Sequence, residues 1–186
     1  MASARAAWLE RRFGARIRWL PFDLHPEYPP GGITPEQLSA RYGHPDILGE
    51  TGRRIEAAGL PFTRAEVISN SAKALNLTEL ARDLGKDPEV HQALFDAYWA
   101  QGRDIGFDEV LVSIAQEAGI PEDQALSAIT ELPYVERIRS STDTAFELGV
   151  SGVPAWVIDD RFMVPGAQPE EVFERILSRL GYEPHN

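Results

Sequence analysis

A block of amphipathic helices that separates two groups of strand-like residues is the feature that most constrains this fold. Apolar residues recur at helical spacing from Thr34 to about Glu131, in segments that end at glycines. β-branched and aromatic residues cluster before this block, at 17–24, and after it, at 155–159 and 162–164. Because strands need partners for their backbone groups, the two clusters should join one core. The order therefore predicts an α/β fold interrupted by an all-helical insert.

Capping and turn residues give the boundaries of these parts. Thr34 followed by Pro35 is a typical helix start and begins the insert, whereas Pro133 follows its end. The sequence Asp159-Asp160-Arg161 separates the last two strand-like runs and predicts a short hairpin, which a closing helix follows. The sequence thus predicts a core made of residues 1–33 and 133–186, and an insert made of residues 34–132.

Composition and charge exclude several classes of function. The formal net charge of −11 argues against nucleic-acid binding, which needs cationic side chains to displace phosphate counterions. No apolar run is long enough to span a membrane. The chain has no cysteine, which rules out disulfides and a thiolate nucleophile within it. The histidines are far apart in the sequence, and we expect neither a metal site nor a bound cofactor.

Two segments have especially distinctive residues: AYWAQGRDI at 97–105 and GVSGVPAWVID at 149–159. Together with WLPFDLHPEYPPGG at 19–32, they closely resemble motifs of the DsbA-like thioredoxin-fold proteins, and of their FrnE-type branch in particular. That branch is similar to the 2-hydroxychromene-2-carboxylate isomerases and the kappa-class glutathione transferases. The resemblance runs over almost the whole chain, and it implies a thioredoxin-like core that carries the helical insert.

The resemblance also implies that one part of the family pattern is missing. Members of the family begin with a strand and a Cys-Pro-x-Cys motif, whose reactive cysteine starts the first helix. Residues 2–22 resemble that helix and the second strand, so the first core strand and the motif are expected to be missing ahead of Met1. Two explanations stay open: a longer natural chain that carries the motif, and a natural variant that lost it. We expect residues 16–22 to stand apart from 154–159, or to shift and pair with them.

The same resemblance assigns the candidate site residues. In the family, the bond before the proline of this loop is cis, and the preceding residue presents backbone hydrogen bonds to a bound peptide or thiol. Val153 and Pro154 are therefore expected to form a cis peptide bond and to bind substrate. Asn70 aligns with an asparagine near the substrate of the isomerases, although asparagine also fits the start of a helix here. Tyr98 and Trp99 either line the cleft or belong to the core of the insert.

The resemblance leads to three hypotheses about function. The first is a DsbA-like thiol-disulfide oxidoreductase that acts on a protein or small-molecule thiol or disulfide. Without cysteine, this chain would be redox-inert and would hold no catalytic residue. The second is a glutathione-dependent isomerase or transferase of the 2-hydroxychromene-2-carboxylate isomerase type, in which Asn70 binds the substrate. The third is a module without enzymatic activity that binds extended peptides beside Val153 and Pro154. We expect a cytoplasmic protein, because no export signal follows Met1.

Overall fold

Helices dominate the structure, and two strands form a hairpin near its C-terminal end. The computed structural model describes residues 2–185. Its strands are β1 (Ala155–Ile158) and β2 (Phe162–Pro165), and residues Asp96–Ala100 form a π-helical turn. None of the helices in the described residues is both long and apolar enough to cross a membrane. The α-helices are α1 (Ala2–Phe13), α2 (Pro35–Tyr42), α3 (Ile47–Ala57), α4 (Ala72–Asp83), α5 (Asp87–Phe95), α6 (Asp108–Glu117), α7 (Glu122–Glu131), α8 (Val135–Glu147) and α9 (Glu170–Arg179).

The insert begins at the predicted helix start. The Gln37 backbone N–H donates to the Thr34 hydroxyl at 3.2 Å, and the Thr34 N–H donates to the Gln37 side chain at 2.8 Å. This reciprocal capping satisfies two backbone donors, and Pro35 occupies the first turn, where no donor is needed. Gly43 ends α2 with a φ of 63°, a left-handed conformation that glycine adopts without steric penalty. Local sequence alone therefore determines where α2 begins and ends.

The predicted C-terminal hairpin is present. β1 pairs with β2 in antiparallel register, with Trp156 opposite Val164. The connection contains Asp159 and Asp160, whose φ values of 54° and 53° suit the tight turns that join hairpin strands. Aspartate tolerates this left-handed conformation better than most residues do. The turn chemistry seen in the sequence therefore matches the register that forms.

The strand predicted at residues 17–24 is wrong, because the structure contains no strand there. Burial nevertheless alternates along residues 15–20, as it does in an extended chain. No backbone hydrogen bond joins these residues to any other part of the described chain, so no ladder defines a strand. Residues 16–22 form no backbone hydrogen bond with β1, so they do not pair with residues 154–159, and the expected gap between them stays a prediction.

Two separate apolar clusters stabilise the two parts of the chain. The insert cluster consists of buried residues between α4 and α7, among them Leu77 and Leu111. The core cluster contains Phe173 of α9, Leu9 of α1 and Val164 of β2. Every buried member of the insert cluster lies within the predicted insert. The exact boundaries of the insert, at residues 34 and 132, stay a prediction.

An aromatic contact joins the two parts. The ring of His91, on α5, contacts Trp19 at 4.4 Å and Phe95 at 4.7 Å between ring centroids. Trp19 in turn lies 6.2 Å from Trp156 of β1. The Nε2 atom of His91 is buried without a hydrogen-bond partner among the described residues. Burial lowers the pKa of His91, although the charge of Asp87 partly opposes this shift. The junction therefore favours the neutral imidazole.

We predict that His91 makes the protein less stable in mild acid. An unfolded histidine titrates near pH ~6.5, whereas the lowered pKa of His91 keeps the folded form neutral to lower pH. As the pH falls below about 6.5, the unfolded chain binds a proton that the folded chain resists, so the free energy of unfolding decreases. Urea unfolding on either side of this pH measures the decrease, and a His91→Phe variant should show a smaller one. An equal decrease in both proteins would contradict the prediction.

A buried carboxylate fixes α8 against α4. Glu79, on α4, is only 1% exposed. One of its oxygens contacts Arg82 at 3.0 Å, and the other contacts Arg137 of α8 at 3.2 Å. Arg137 also pairs with Asp83 at 2.8 Å, and its hydrogen bonds to Asp83 and Glu79 raise the pKa of its guanidinium. Both oxygens of the buried carboxylate therefore meet a cation, which compensates for the lost hydration.

Candidate functional site

A cleft of about 210 Å³ lies beside the loop that connects α8 to β1. Its lining comprises residues 149–155 on one side and, on the other, two residues of β2 and the residue that follows it, namely Met163, Pro165 and Gly166. The predicted substrate-binding residues Val153 and Pro154 are part of this lining. The hairpin therefore forms one wall of the cleft, and the loop that leads into the hairpin forms the other.

Backbone hydrogen bonds hold both ends of the loop in place. At the α8 end, Gly149 has a φ of 84°, and the Val150 N–H donates to the Ala145 carbonyl at 2.9 Å. This arrangement is typical of a helix that ends at glycine. At the β1 end, the Gly166 N–H donates to the Pro154 carbonyl at 2.7 Å. The residues between these two anchors are therefore positioned by the fold.

The cleft offers peptide groups rather than charged side chains. None of the residues that line it has an ionisable side chain. The backbone N–H groups of residues 151–153 donate to no acceptor within the described chain. Val153 is 58% exposed, and the Val153–Pro154 peptide bond is cis. The lining therefore provides no general acid or base, but it presents unused backbone donors to a ligand.

Asn70 does not belong to the lining of this cleft in the described chain. Its side-chain amide donates to the Tyr28 carbonyl at 2.6 Å, and its side-chain oxygen accepts from the Ala72 N–H at 2.9 Å. The second bond supports the first turn of α4, as expected of asparagine at a helix start. These contacts account for a structural role of Asn70, and its role in substrate binding stays a prediction.

The aromatic pair of the insert also packs locally. Tyr98 and Trp99 lie in the π-helical turn, where their rings meet edge to face at 4.9 Å. Burial, together with Asp104, raises the pKa of Tyr98 to about 12. In the loop that follows, the Asp104 carboxylate accepts from the Gly106 N–H at 2.8 Å. Neither Tyr98 nor Trp99 lines the cleft.

The residues on the β2 side of the cleft were not among the site residues predicted from the sequence. Met163, Pro165 and Gly166 complete the lining because β2 folds back along β1. The signal that could have found them was present, since a turn at Asp159 and Asp160 places the residues after Phe162 opposite β1. If the loop between α8 and β1 forms one wall of the cleft, the hairpin register therefore predicts that residues of β2 form the other wall.

The hairpin, the loop that enters it from α8 and the helices packed around it define a thioredoxin-like fold that carries a helical insert. The chain belongs to the family of DSBA-like thioredoxin domains, whose model matches residues 1–178. The match covers nearly the whole chain. It confirms the family resemblance inferred from the segments at 97–105 and 149–159 and the α/β fold class that this resemblance implied.

Similar proteins include both oxidoreductases and an isomerase. YwbO of Bacillus subtilis (strain 168), described as an uncharacterized protein, is 23% identical over 163 residues, which cover 87% of this chain and 80% of YwbO. The structure of a probable DsbA oxidoreductase from Streptomyces coelicolor is 27% identical with a TM-score of 0.76, covering 85% of this chain and 72% of that one. A 2-hydroxychromene-2-carboxylate isomerase structure is 18% identical with a TM-score of 0.76, covering 97% of this chain and 88% of the isomerase. The likeness to the isomerase is one of fold.

Proposed function

We propose that this chain is the substrate-binding part of a DsbA-like thiol-disulfide oxidoreductase and that it is redox-inert by itself. The observation that supports this most is the row of unused backbone N–H groups at residues 151–153, beside the exposed Val153. A peptide that lies along this loop gains backbone hydrogen bonds without needing a particular side-chain sequence. Such recognition suits a protein that meets many different thiol or disulfide substrates.

The redox-inert part of the proposal follows from the chemistry of exchange. A thiolate attacks one sulfur of a disulfide, a mixed disulfide forms, and the other sulfur leaves as a thiolate. This chain has no cysteine, so it supplies neither the attacking sulfur nor a partner for the mixed disulfide. The reacting thiols must therefore lie outside residues 1–186. The chain positions the substrate and takes no part in the transfer of electrons.

A reduction assay tests this part of the proposal. Glutathione reduces a disulfide-bonded peptide slowly in solution, and we expect the same rate with and without the chain. A rate that rises in proportion to the concentration of the chain would overturn the redox-inert proposal. A DsbA-like protein that retains its cysteine pair serves as the positive control.

Binding is tested separately with a Val153→Glu variant. The new carboxylate introduces charge into a lining that has none, so the affinity for a disulfide-bonded peptide should fall at least about tenfold. Val135, which is 44% exposed on α8, gives the matched control Val135→Glu, and this variant should bind as the unmodified chain does. Equal affinities of all three proteins would overturn the assignment of the cleft. If the chain is instead a general peptide-binding module, Val153→Glu should lose the same affinity. Peptides without sulfur should then bind as tightly as the disulfide-bonded peptide.

A glutathione-dependent isomerase or transferase is the second candidate. One observation favours it: glutathione carries its own thiol, so a chain without cysteine still supports this chemistry. Calorimetric titration with glutathione tests the hypothesis, and saturable binding that Val153→Glu abolishes is the expected result. A flat titration removes this candidate and leaves the oxidoreductase proposal unchanged. The assignment of Asn70 is tested by Asn70→Ala, which should reduce turnover of the isomerase substrate if the side chain binds it.

A further inference from the structure

Hydrogen bonds join a carboxylate, an imidazole and a phenol where the loop after residues 17–24 meets α2. His25 Nδ1 lies 3.2 Å from Glu27 Oε1, and His25 Nε2 lies 2.7 Å from the Tyr42 hydroxyl oxygen. His25 and Glu27 lie in the loop, whereas Tyr42 is the last residue of α2. Folding therefore brings together three ionisable side chains, which we call the Glu27–His25–Tyr42 triad.

Packing and a backbone hydrogen bond fix the position of the imidazole. The His25 ring stacks on the ring of Tyr28 at 4.4 Å between centroids, with an angle of only 8° between the two planes. Tyr28 itself is buried. The backbone N–H of His25 donates to the Asp23 carboxylate at 3.3 Å. The imidazole is therefore held in one orientation by its surroundings, as a positioned base needs to be.

The charge of Glu27 determines which nitrogen of His25 carries the proton. A hydrogen bond from its own backbone N–H lowers the pKa of Glu27, and contacts with His25 and Arg41 lower it further. At neutral pH the carboxylate is therefore ionised, and it can only accept hydrogen bonds. Nδ1 of the neutral imidazole must then carry the proton and donate to Glu27. Nε2 keeps its lone pair and accepts from the Tyr42 hydroxyl.

This order of groups is the one that activates a hydroxyl as a nucleophile. A base within about 2.6–3.2 Å of the hydroxyl takes its proton as the oxygen attacks, and a third group orients the base. Tyr42 is also accessible, because it is 48% exposed. Tyr182 is 41% exposed, but its hydroxyl donates to the Asp159 carboxylate, and this hydrogen bond raises the pKa of Tyr182. The two tyrosines thus differ mainly in the group that accepts their proton.

We propose that the Tyr42 hydroxyl is a nucleophile that accepts an acyl group from an activated ester, with His25 as the general base and Glu27 as the positioning residue. The bond between the Tyr42 oxygen and the acyl carbon forms, and the bond between the acyl carbon and the leaving oxygen breaks. The phenol proton moves to His25 Nε2 and then to the leaving group, and nothing is oxidised or reduced. None of the three residues lines the cleft beside Val153, so the proposal does not depend on the function proposed above.

Labelling with para-nitrophenyl acetate tests the proposal. The released nitrophenolate gives the rate, and mass spectrometry of peptides locates the acetyl group. Tyr42 should be acetylated at least about tenfold faster than Tyr182. A Tyr42→Phe variant should lose the fast phase of nitrophenolate release. Equal rates at the two tyrosines would overturn the proposal, and so would a fast phase that persists in this variant, because His25 or another group would then be the nucleophile.

The dependence of the rate on pH separates base catalysis from simple exposure. Acetylation of Tyr42 should be slow in acid, where His25 holds a second proton, and should level off once the imidazole is neutral. Acetylation of Tyr182 should instead rise steadily with pH, because its phenolate is the reactive form. A steady rise at Tyr42 as well would overturn the proposal. The ionisable groups around His25 are Asp23, Glu27 and Tyr28 of the same loop and Tyr42 of α2, with Arg41 of α2 on the far side of Glu27.

Variants test the two supporting roles. His25→Gln removes the base, so acetylation of Tyr42 should slow at least about tenfold and should rise steadily with pH. Glu27→Gln should also slow it, because an amide does not fix the tautomer, and Glu27→Asp should restore part of the rate.

The matched control for these variants is His44→Gln. His44 also contacts a carboxylate, Glu50 at 2.9 Å, so its replacement should leave the rate at Tyr42 unchanged. If His25→Gln fails to fold, the pH profile of the unmodified chain still decides between the two mechanisms. A rate at Tyr42 that neither His25→Gln nor Glu27→Gln changes would overturn the proposal and leave the triad a structural contact between the loop and α2.

Discussion

A Phe173→Ala variant should lose about 3–5 kcal/mol of the free energy of unfolding. Phe173 is completely buried and belongs to the core cluster. Its ring meets Trp156 edge to face at 5.3 Å, and the Arg5 guanidinium lies 6.0 Å from its centroid. Truncation removes these contacts and leaves a cavity beside a short hairpin. Because domains of this kind are stable by only about 5–15 kcal/mol, the loss is a large part of the total.

Urea unfolding followed by circular dichroism measures this effect. The matched control is Phe107→Ala, because Phe107 is 60% exposed and its truncation should change the free energy of unfolding by less than about 0.5 kcal/mol. A small and equal loss in both variants would show that the core cluster is not the main support of the hairpin.

The second large effect is expected where Glu79 is buried. An Arg82→Met/Arg137→Met variant removes both cations from this carboxylate and should lose about 3–5 kcal/mol of the free energy of unfolding. The cost arises because the carboxylate stays buried without a partner, since Glu79 is only 1% exposed. Each single variant should lose much less than the double variant, because one cation remains.

The control for the Arg82→Met/Arg137→Met variant is an exposed ion pair on α8, the helix that carries Arg137. Arg139 pairs with Glu136 at 2.6 Å, but the two side chains are 66% and 74% exposed. Such pairs contribute between about 0 and 1 kcal/mol, so Arg139→Met should be close to neutral. A double variant at Arg82 and Arg137 that is no less stable than Arg139→Met would contradict a structural role for the buried carboxylate.

Helices and the hairpin could be predicted from the sequence because their signals are local. Thr34 and Gln37 cap each other within one turn, and Gly43 ends the same helix. Asp159 and Asp160 adopt the left-handed conformations that a tight hairpin turn requires. In each case the residues that decide the structure are neighbours in the sequence, so no knowledge of the tertiary fold is needed.

Features that depend on distant residues could not be predicted. Residues 17–24 have the composition of a strand, but a strand forms only where another backbone pairs with it. The network around Glu79 shows the same limit. Arg82 lies on the same helix and could have been expected, whereas Arg137 is 58 positions away and reaches Glu79 only through the packing of α8 on α4.

The candidate cleft was predicted in part. The motif at 149–159 identified the loop with Val153 and Pro154, which the structure places beside a cleft. The opposite wall, with Met163 and Gly166, follows only from the hairpin register. The family resemblance assigned Asn70 to the substrate, whereas its observed contacts are with the backbone of Ala72 and Tyr28. A motif therefore located the site, while the fold determined which side chains complete it.

Nuclear magnetic resonance of the backbone amides during titration with a disulfide-bonded peptide tests directly whether this loop binds substrate. Saturable shifts should be concentrated at residues 149–155 and 163–166 and be largest for the unused N–H groups of residues 151–153, while the peptide disulfide stays intact. Shifts confined to the helical insert, or none at saturating peptide, would contradict the assignment of this loop as the substrate-binding wall.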